Sequence, residues 1–206
     1  MSTWELDDAQ EIAAEAPYTF YKPSPEVIGM LRPGDQVKLI FRFAHDPAQQ
    51  YDAERMWVTI VSIEGERFSG TLDSEPMHGE LLAWGAPVEF GPRHIIQTSI
   101  PDPAPSLTAA YTDRCFVTAR ILDDGVPVGY LYREAPERDD ESGWCISAGD
   151  ETDEYMVDDS KISYVSLGAV LNRDDSFIGL LKAPVGSVFV RNKVSGAFEP
   201  VDDDQV

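Results

Sequence analysis

The residues best suited to chemistry lie between Ser142 and Tyr155. There an apolar, strand-like run, Gly143-Trp144-Cys145-Ile146-Ser147-Ala148, breaks at Gly149 into Asp150-Glu151-Thr152-Asp153-Glu154-Tyr155. Following the chain onward, these four carboxylates meet no Lys or Arg before Lys161. Acids set between two large rings suit recognition: the aromatics anchor a contact and the charges select a cationic partner. The candidate partner-binding residues are therefore Trp144, Asp150, Glu151, Asp153, Glu154 and Tyr155. The structural alternative places Trp144 in the core beneath the strand and uses Tyr155 to close the loop. A hard cation such as Ca²⁺ is a competing use, since it takes about six to eight oxygen ligands. The run lacks the alternating acid spacing, the turn glycine and the distal glutamate of an EF-hand loop, so no metal site is expected.

Other reaction chemistries find no pattern. His45, His78 and His94 stand far apart, without H-x-H, H-E-x-x-H or Cys-His spacing. No serine sits in G-x-S-x-G, and neither Cys115 nor Cys145 has the surroundings of a catalytic thiol. Gly186-Ser187 reads as a turn, because a phosphate cradle needs G-x-x-x-x-G-K-[ST]. No catalytic residue and no cofactor is expected. Arg133 and Arg191 read as a latch that holds carboxylates of the acidic loop.

The 206 residues carry a formal charge of −21. Residues 1–103 hold 17 acids and 7 bases, and residues 104–206 hold 20 and 9, so the acidity belongs to both halves. Such a field repels nucleic acid and anionic lipid, while it raises encounter rates with basic proteins by about 10- to 1000-fold at low salt. Solubility or a saline habitat is the bland account of the same charge. The N-terminus has neither a basic region nor an apolar region of a secretory signal, and no apolar run approaches a membrane span, so a cytoplasmic location and no membrane partner are expected. Two cysteines cannot build a disulfide framework; buried, reduced thiols are expected. The oligomeric state is not legible.

The elements that position the acidic loop are short strands. Residues 1–22 read as an acidic arm, with a short helix at Glu11–Ala16 ended by Pro17. Ser24-Pro25 caps a helix whose stripe is Val27, Ile28, Met30 and Leu31. Strands follow at Gln36–Phe43 and Met56–Ile63, and a Glu64-Gly65-Glu66 turn leads to Arg67–Leu72 as a hairpin. Three prolines within Pro101–Pro105 mark residues 100–112 as a stiff linker between a sheet-rich domain at 23–99 and a second domain at 113–200. In the latter, Cys115–Leu122 and Val128–Arg133 flank Asp123-Asp124-Gly125 as a second hairpin. Gly143 and Gly149 bracket the next strand, where a bulge or a positive φ is expected. A helix along Val165, Leu167, Val170 and Leu171 covers the sheet, a strand follows near Val188, and an acidic tail at 201–206 is expected to be disordered. The fold class is α+β: two small modules, each an antiparallel curved sheet or partly open barrel with one or two short helices.

Two segments resemble known families. Gly34-Asp35-Gln36-Val37-Lys38-Leu39, Glu54-Arg55-Met56-Trp57-Val58 and Phe68-Ser69-Gly70-Thr71-Leu72-Asp73 resemble a small bacterial domain of unknown function over roughly residues 30–98, with Ser74 where asparagine is usual. Val128-Gly129-Tyr130-Leu131-Tyr132-Arg133-Glu134, Asp140-Glu141-Ser142-Gly143-Trp144, Gly149–Tyr155 and Pro184-Val185-Gly186-Ser187-Val188-Phe189 resemble the thirty-third family of immunity proteins from bacterial polymorphic-toxin systems over about 113–200. Val190, Cys145 and Ile146 depart from that pattern. The second resemblance implies a cytoplasmic, non-enzymatic protein that neutralises a cognate toxin by binding it. The acidity makes that partner a basic toxin or effector. An enzyme or small-ligand sensor with a site between the domains is the rival expectation, and a housekeeping regulatory module is a third.

Overall fold

Period-two alternation builds the first sheet from β1 (Trp4–Leu6), β2 (Gln36–Phe43), β3 (Ala53–Glu64), β4 (Arg67–Leu72), β5 (Pro87–Phe90) and β6 (Ile95–Thr98), all paired antiparallel. In β2, Val37, Leu39, Phe41 and Phe43 take alternate positions and are all buried, as one core-facing side of a strand requires. The computed structural model describes residues 4–44, 52–77, 79 and 81–201, in two units, Met1–Ser106 and Leu107–Val206. His45, His78 and residues 202–206 of the acidic tail lie outside the described residues. β1 and β6 both pair with β2, β1 against Phe41–Phe43 and β6 against Val37–Leu39, and the sheet curls around a core that includes Leu31, Met56, Val58, Phe68, Leu72 and Phe90. The hairpin of β3 and β4 forms at the expected turn, with Glu64 opposite Arg67 and Gly65 at φ +62°.

The segment read as an acidic arm is, from Trp4 onward, part of this first unit. Trp4 lies 5.3 Å from the Phe41 ring, Arg42 pairs with Asp7 at 2.7 Å, and Ala9 of α1 (Ala9–Glu15) packs with Ile40 and Ile96. Apolar residues at Trp4, Leu6, Ala9 and Ile12 outweigh the acids around them. α2 (Pro25–Met30) starts where Ser24-Pro25 places it, the Ser24 hydroxyl accepting from Val27 N at 3.1 Å. The proline-rich stretch is anchored at one end: the Asp102 carboxylate accepts from Tyr21 Oη at 2.8 Å, Ser24 N at 2.8 Å, Ser24 Oγ at 2.6 Å and Ala104 N at 3.0 Å. Burial alone raises the Asp102 pKa, but these donors outweigh it and hold it down to about 2.

The second sheet contains β7 (Arg114–Thr118), β8 (Tyr130–Arg133), β9 (Glu141–Ser147), β10 (Ile162–Ser166), β11 (Val188–Arg191) and β12 (Phe198–Pro200), in the order β10-β7-β9-β8-β11-β12. Its helices are α3 (Ala119–Leu122), α4 (Asp153–Met156) and α5 (Leu167–Leu171). The α+β class stands, and β7 with β9 forms a parallel pair within an otherwise antiparallel sheet. The expected hairpin between Cys115–Leu122 and Val128–Arg133 does not form. The chain leaves the sheet after Thr118 as α3, and β9 enters between β7 and β8, where Trp144 and Ile146 gain the burial of a central strand. Gly143 and Gly149 adopt φ +79° and +78°, and the register shifts between Arg114 and Phe116 against β9. Cys115, Val117, Leu131, Trp144 and Ile146 are buried on one side of this sheet, and Ile121, Val170, Leu171 and Phe177 are buried in the segments that cover it. The helix begins at Leu167, after the Val165 with which the expected stripe opened: Val165 stays in β10, and the Ser166 hydroxyl caps α5.

Candidate partner-binding site

The other side of the second sheet is open. Strand register sets Tyr164 opposite Phe116, Phe116 opposite Cys145 and Cys145 opposite Tyr132; one pleat along, Ile162 lies opposite Thr118 and Tyr130 opposite Ser147. Directly paired residues share a face, so these side chains form one aromatic-rich surface on the side away from Trp144 and Ile146. The Phe116 and Tyr164 rings are 5.0 Å apart, and the Tyr130 and Tyr132 rings 5.7 Å. Phe116, Tyr130, Tyr132, Cys145 and Met156 line a groove of about 470 Å³ that Asp159 borders.

The acidic segment runs into α4, whose last residue, Met156, lines this groove. Thr152 caps α4, its hydroxyl accepting from Tyr155 N at 3.2 Å, and Asp153 and Glu154 occupy the exposed first turn, where the helix dipole favours carboxylates. Met156 and Val157 are 41% and 80% exposed. Tyr155 is half-buried. Asp158 folds back on Ser160, accepting from its N at 3.0 Å and its hydroxyl at 2.7 Å.

The six residues proposed from sequence do not act as one set. Trp144 is 1% exposed on the covered side, with Phe189 at 6.3 Å between rings and the Arg133 guanidinium at 5.7 Å. A ring sealed there cannot touch a partner, so the structure moves Trp144 from anchor to core. Glu151 is half-buried and organises the loop: its carboxylate accepts from Thr118 Oγ1 at 2.7 Å, Ala148 N at 2.8 Å, Gly149 N at 2.8 Å and Asp150 N at 3.2 Å. Burial raises the Glu151 pKa, but the Thr118 hydroxyl and the Ala148 and Gly149 amides outweigh it and hold it below the usual carboxylate range. Asp150 is exposed yet paired with Arg120 of α3, a cation 30 residues earlier that proximity in sequence does not reveal. Asp153, Glu154 and Tyr155 remain at the surface, with Asp159 as a further acid missed from sequence. The aromatic face was also missed. Its signal was Tyr130-Leu131-Tyr132, a strand with bulky side chains on both faces.

Arg133 and Arg191 do form a latch, but not with the acidic loop. Arg133 donates to Ser142 O and Ala183 O, while Arg191 donates to Val128 O and pairs with Asp174. Cys145 and Cys115 are free thiols. Burial pushes Cys145 up, and it pushes Cys115 up to about 12; burial and a hydrogen bond with Cys145 raise Tyr132. The groove floor is thus uncharged at neutral pH. In the first unit, His94 Nδ1 accepts from Gly91 N at 2.9 Å, and burial, with Arg93, lowers its pKa. Among the described residues no three His, Cys, Asp or Glu side chains converge to hold a metal, and no helix is long and apolar enough to cross a membrane.

The second sheet thus carries an open face with an aromatic floor bordered by Asp159. Residues 115–202 match the family model described as the immunity protein Imm33 domain, a span that contains the open face, α4 and the strands that carry them. No curated protein and no solved structure matches the chain. The resemblance drawn over residues 30–98 finds no support in these comparisons.

Proposed function

We propose that this protein is a non-enzymatic, cytoplasmic immunity-type protein that neutralises a basic toxin or effector domain by binding it directly. The match of residues 115–202 to an immunity-protein domain carries this reading, and it makes a toxin the partner. The chemistry of the open face supports the basic character of that partner: Asp159 borders a neutral aromatic groove, and Asp153 and Glu154 are exposed in the helix whose Met156 lines it. In the mechanism, acids accelerate encounter, and apolar contact with the groove and Met156 slows release. Occlusion needs an interface of roughly 1,200–2,000 Å².

The test screens the proteins encoded by neighbouring genes for a toxin domain and uses that domain as the partner. Co-expression restores growth of cells that carry the toxin, and calorimetry of the purified pair gives a complex whose affinity falls as salt rises. Loss of both protection and complex, in low and high salt alike, overturns the reading.

A further inference from the structure

We infer that the groove of the second sheet is an arginine pocket: the partner protein inserts one arginine side chain, whose guanidinium stacks on the rings of Phe116, Tyr130 and Tyr132 while Asp159 supplies countercharge. This rests on the proposed immunity-type binding and names what the partner brings to it. Size fits, since about 470 Å³ falls within the roughly 300–1,000 Å³ of ligand sites and accepts a long side chain with adjoining backbone. Charge selects the end group. Asp159 is the one charged side chain among the described residues that line the groove, and Asp153 and Glu154 stand in the first turn of α4, the helix whose Met156 also lines it.

The unit already shows the contact it would make. Arg114 and Arg138 sit 4.5 and 5.1 Å from the Tyr164 ring centre, Arg133 sits 5.7 Å from that of Trp144, and Arg191 sits 4.6 Å from that of Phe198. Among the described residues, no cation lies over Phe116 or Tyr132. A planar guanidinium pairs with ring faces better than a compact ammonium does, which favours arginine over lysine. A second copy of this chain is the weaker occupant, because each copy brings a net charge of −21 to the contact.

The full chain is titrated with N-acetyl-arginine amide, N-acetyl-lysine amide and N-acetyl-norleucine amide while backbone amides are followed by NMR. The arginine probe gives saturating shifts centred on Thr118, Tyr130, Cys145 and Met156 and binds more tightly than either control. Tyr130→Ala and Asp159→Asn, both folded by their amide dispersion, each weaken it by about two- to fivefold. Equal binding of norleucine, equal binding of lysine, or absence of shifts in the groove overturns the pocket. The probe requires no toxin, so the two ideas fail separately. A toxin complex that Tyr130→Ala leaves unchanged defeats the pocket and keeps the immunity reading; arginine binding in the groove without any toxin complex does the reverse.

Discussion

The two halves of the chain are similarly acidic, but their sheets treat their outward faces in different ways. On the first, Gln36, Lys38, Trp57 and Thr59 satisfy one another locally: Gln36 Nε2 and Thr59 Oγ1 donate to Asp73 at 2.5 and 3.0 Å, and the Lys38 ammonium lies 4.5 Å from the centre of the Trp57 ring. On the second, the corresponding face presents Phe116, Tyr130 and Tyr132 around a groove. Net charge therefore does not distinguish the proposed binding surface. What distinguishes it is the aromatic groove bordered by Asp159, which lies within the segment matched to an immunity domain.

Substitutions sharpen that contrast, beginning with the covered side of the second sheet. Trp144→Ala empties a fully buried site and costs about 3–5 kcal/mol, read in denaturant melts as early loss of the second unit; a change below 1 kcal/mol would return Trp144 to the surface. Gly143→Ala comes next. A Cβ there would stand 2.1 Å from the Glu134 carbonyl oxygen at φ +79°, and the same melts show a loss of about 1–3 kcal/mol.

The first unit responds to pH through Asp102. Its folded pKa is depressed, so its stabilisation is complete above the unfolded value of about 3.9 and disappears as pH falls toward about 2. Discounted for its solvent exposure, the effect is about 1 kcal/mol, and Asp102→Asn removes the pH dependence between those limits. Smallest in stability is the pair Asp153→Asn and Glu154→Gln, which leaves Tm unchanged while the association rate with a basic partner falls several-fold and loses its salt dependence. An unchanged rate removes these acids from the interface.

Local chemistry was readable from sequence wherever a few neighbouring residues decide the outcome. Ser24-Pro25 announced α2, Gly65 announced the hairpin, and Gly143 with Gly149 announced the positive φ within β9 and just after it. What escaped depends on distant partners. Cys115–Leu122 is mostly apolar, broken only by Thr118 and Arg120, so periodicity does not separate the strand from the helix that follows Thr118. The parallel pairing of β7 with β9 follows from β9 taking the central place, which no turn residue records. Within the proposed site, Asp153, Glu154 and Tyr155 were singled out by charge and spacing, and Asp153 and Glu154 are exposed. The roles of Trp144, Glu151 and Asp150 depend on which side of the pleat Trp144 takes and on where Thr118 and Arg120 come to lie.

Glu151 has one more consequence. By gathering three successive amides and the Thr118 hydroxyl, its carboxylate clamps the loop to β7 before any partner arrives. The loop that leads into Asp153 and Glu154 is therefore preorganised. At the proposed interface, little chain entropy would remain to be lost at encounter, and selectivity would rest on rigid shape instead of induced fit.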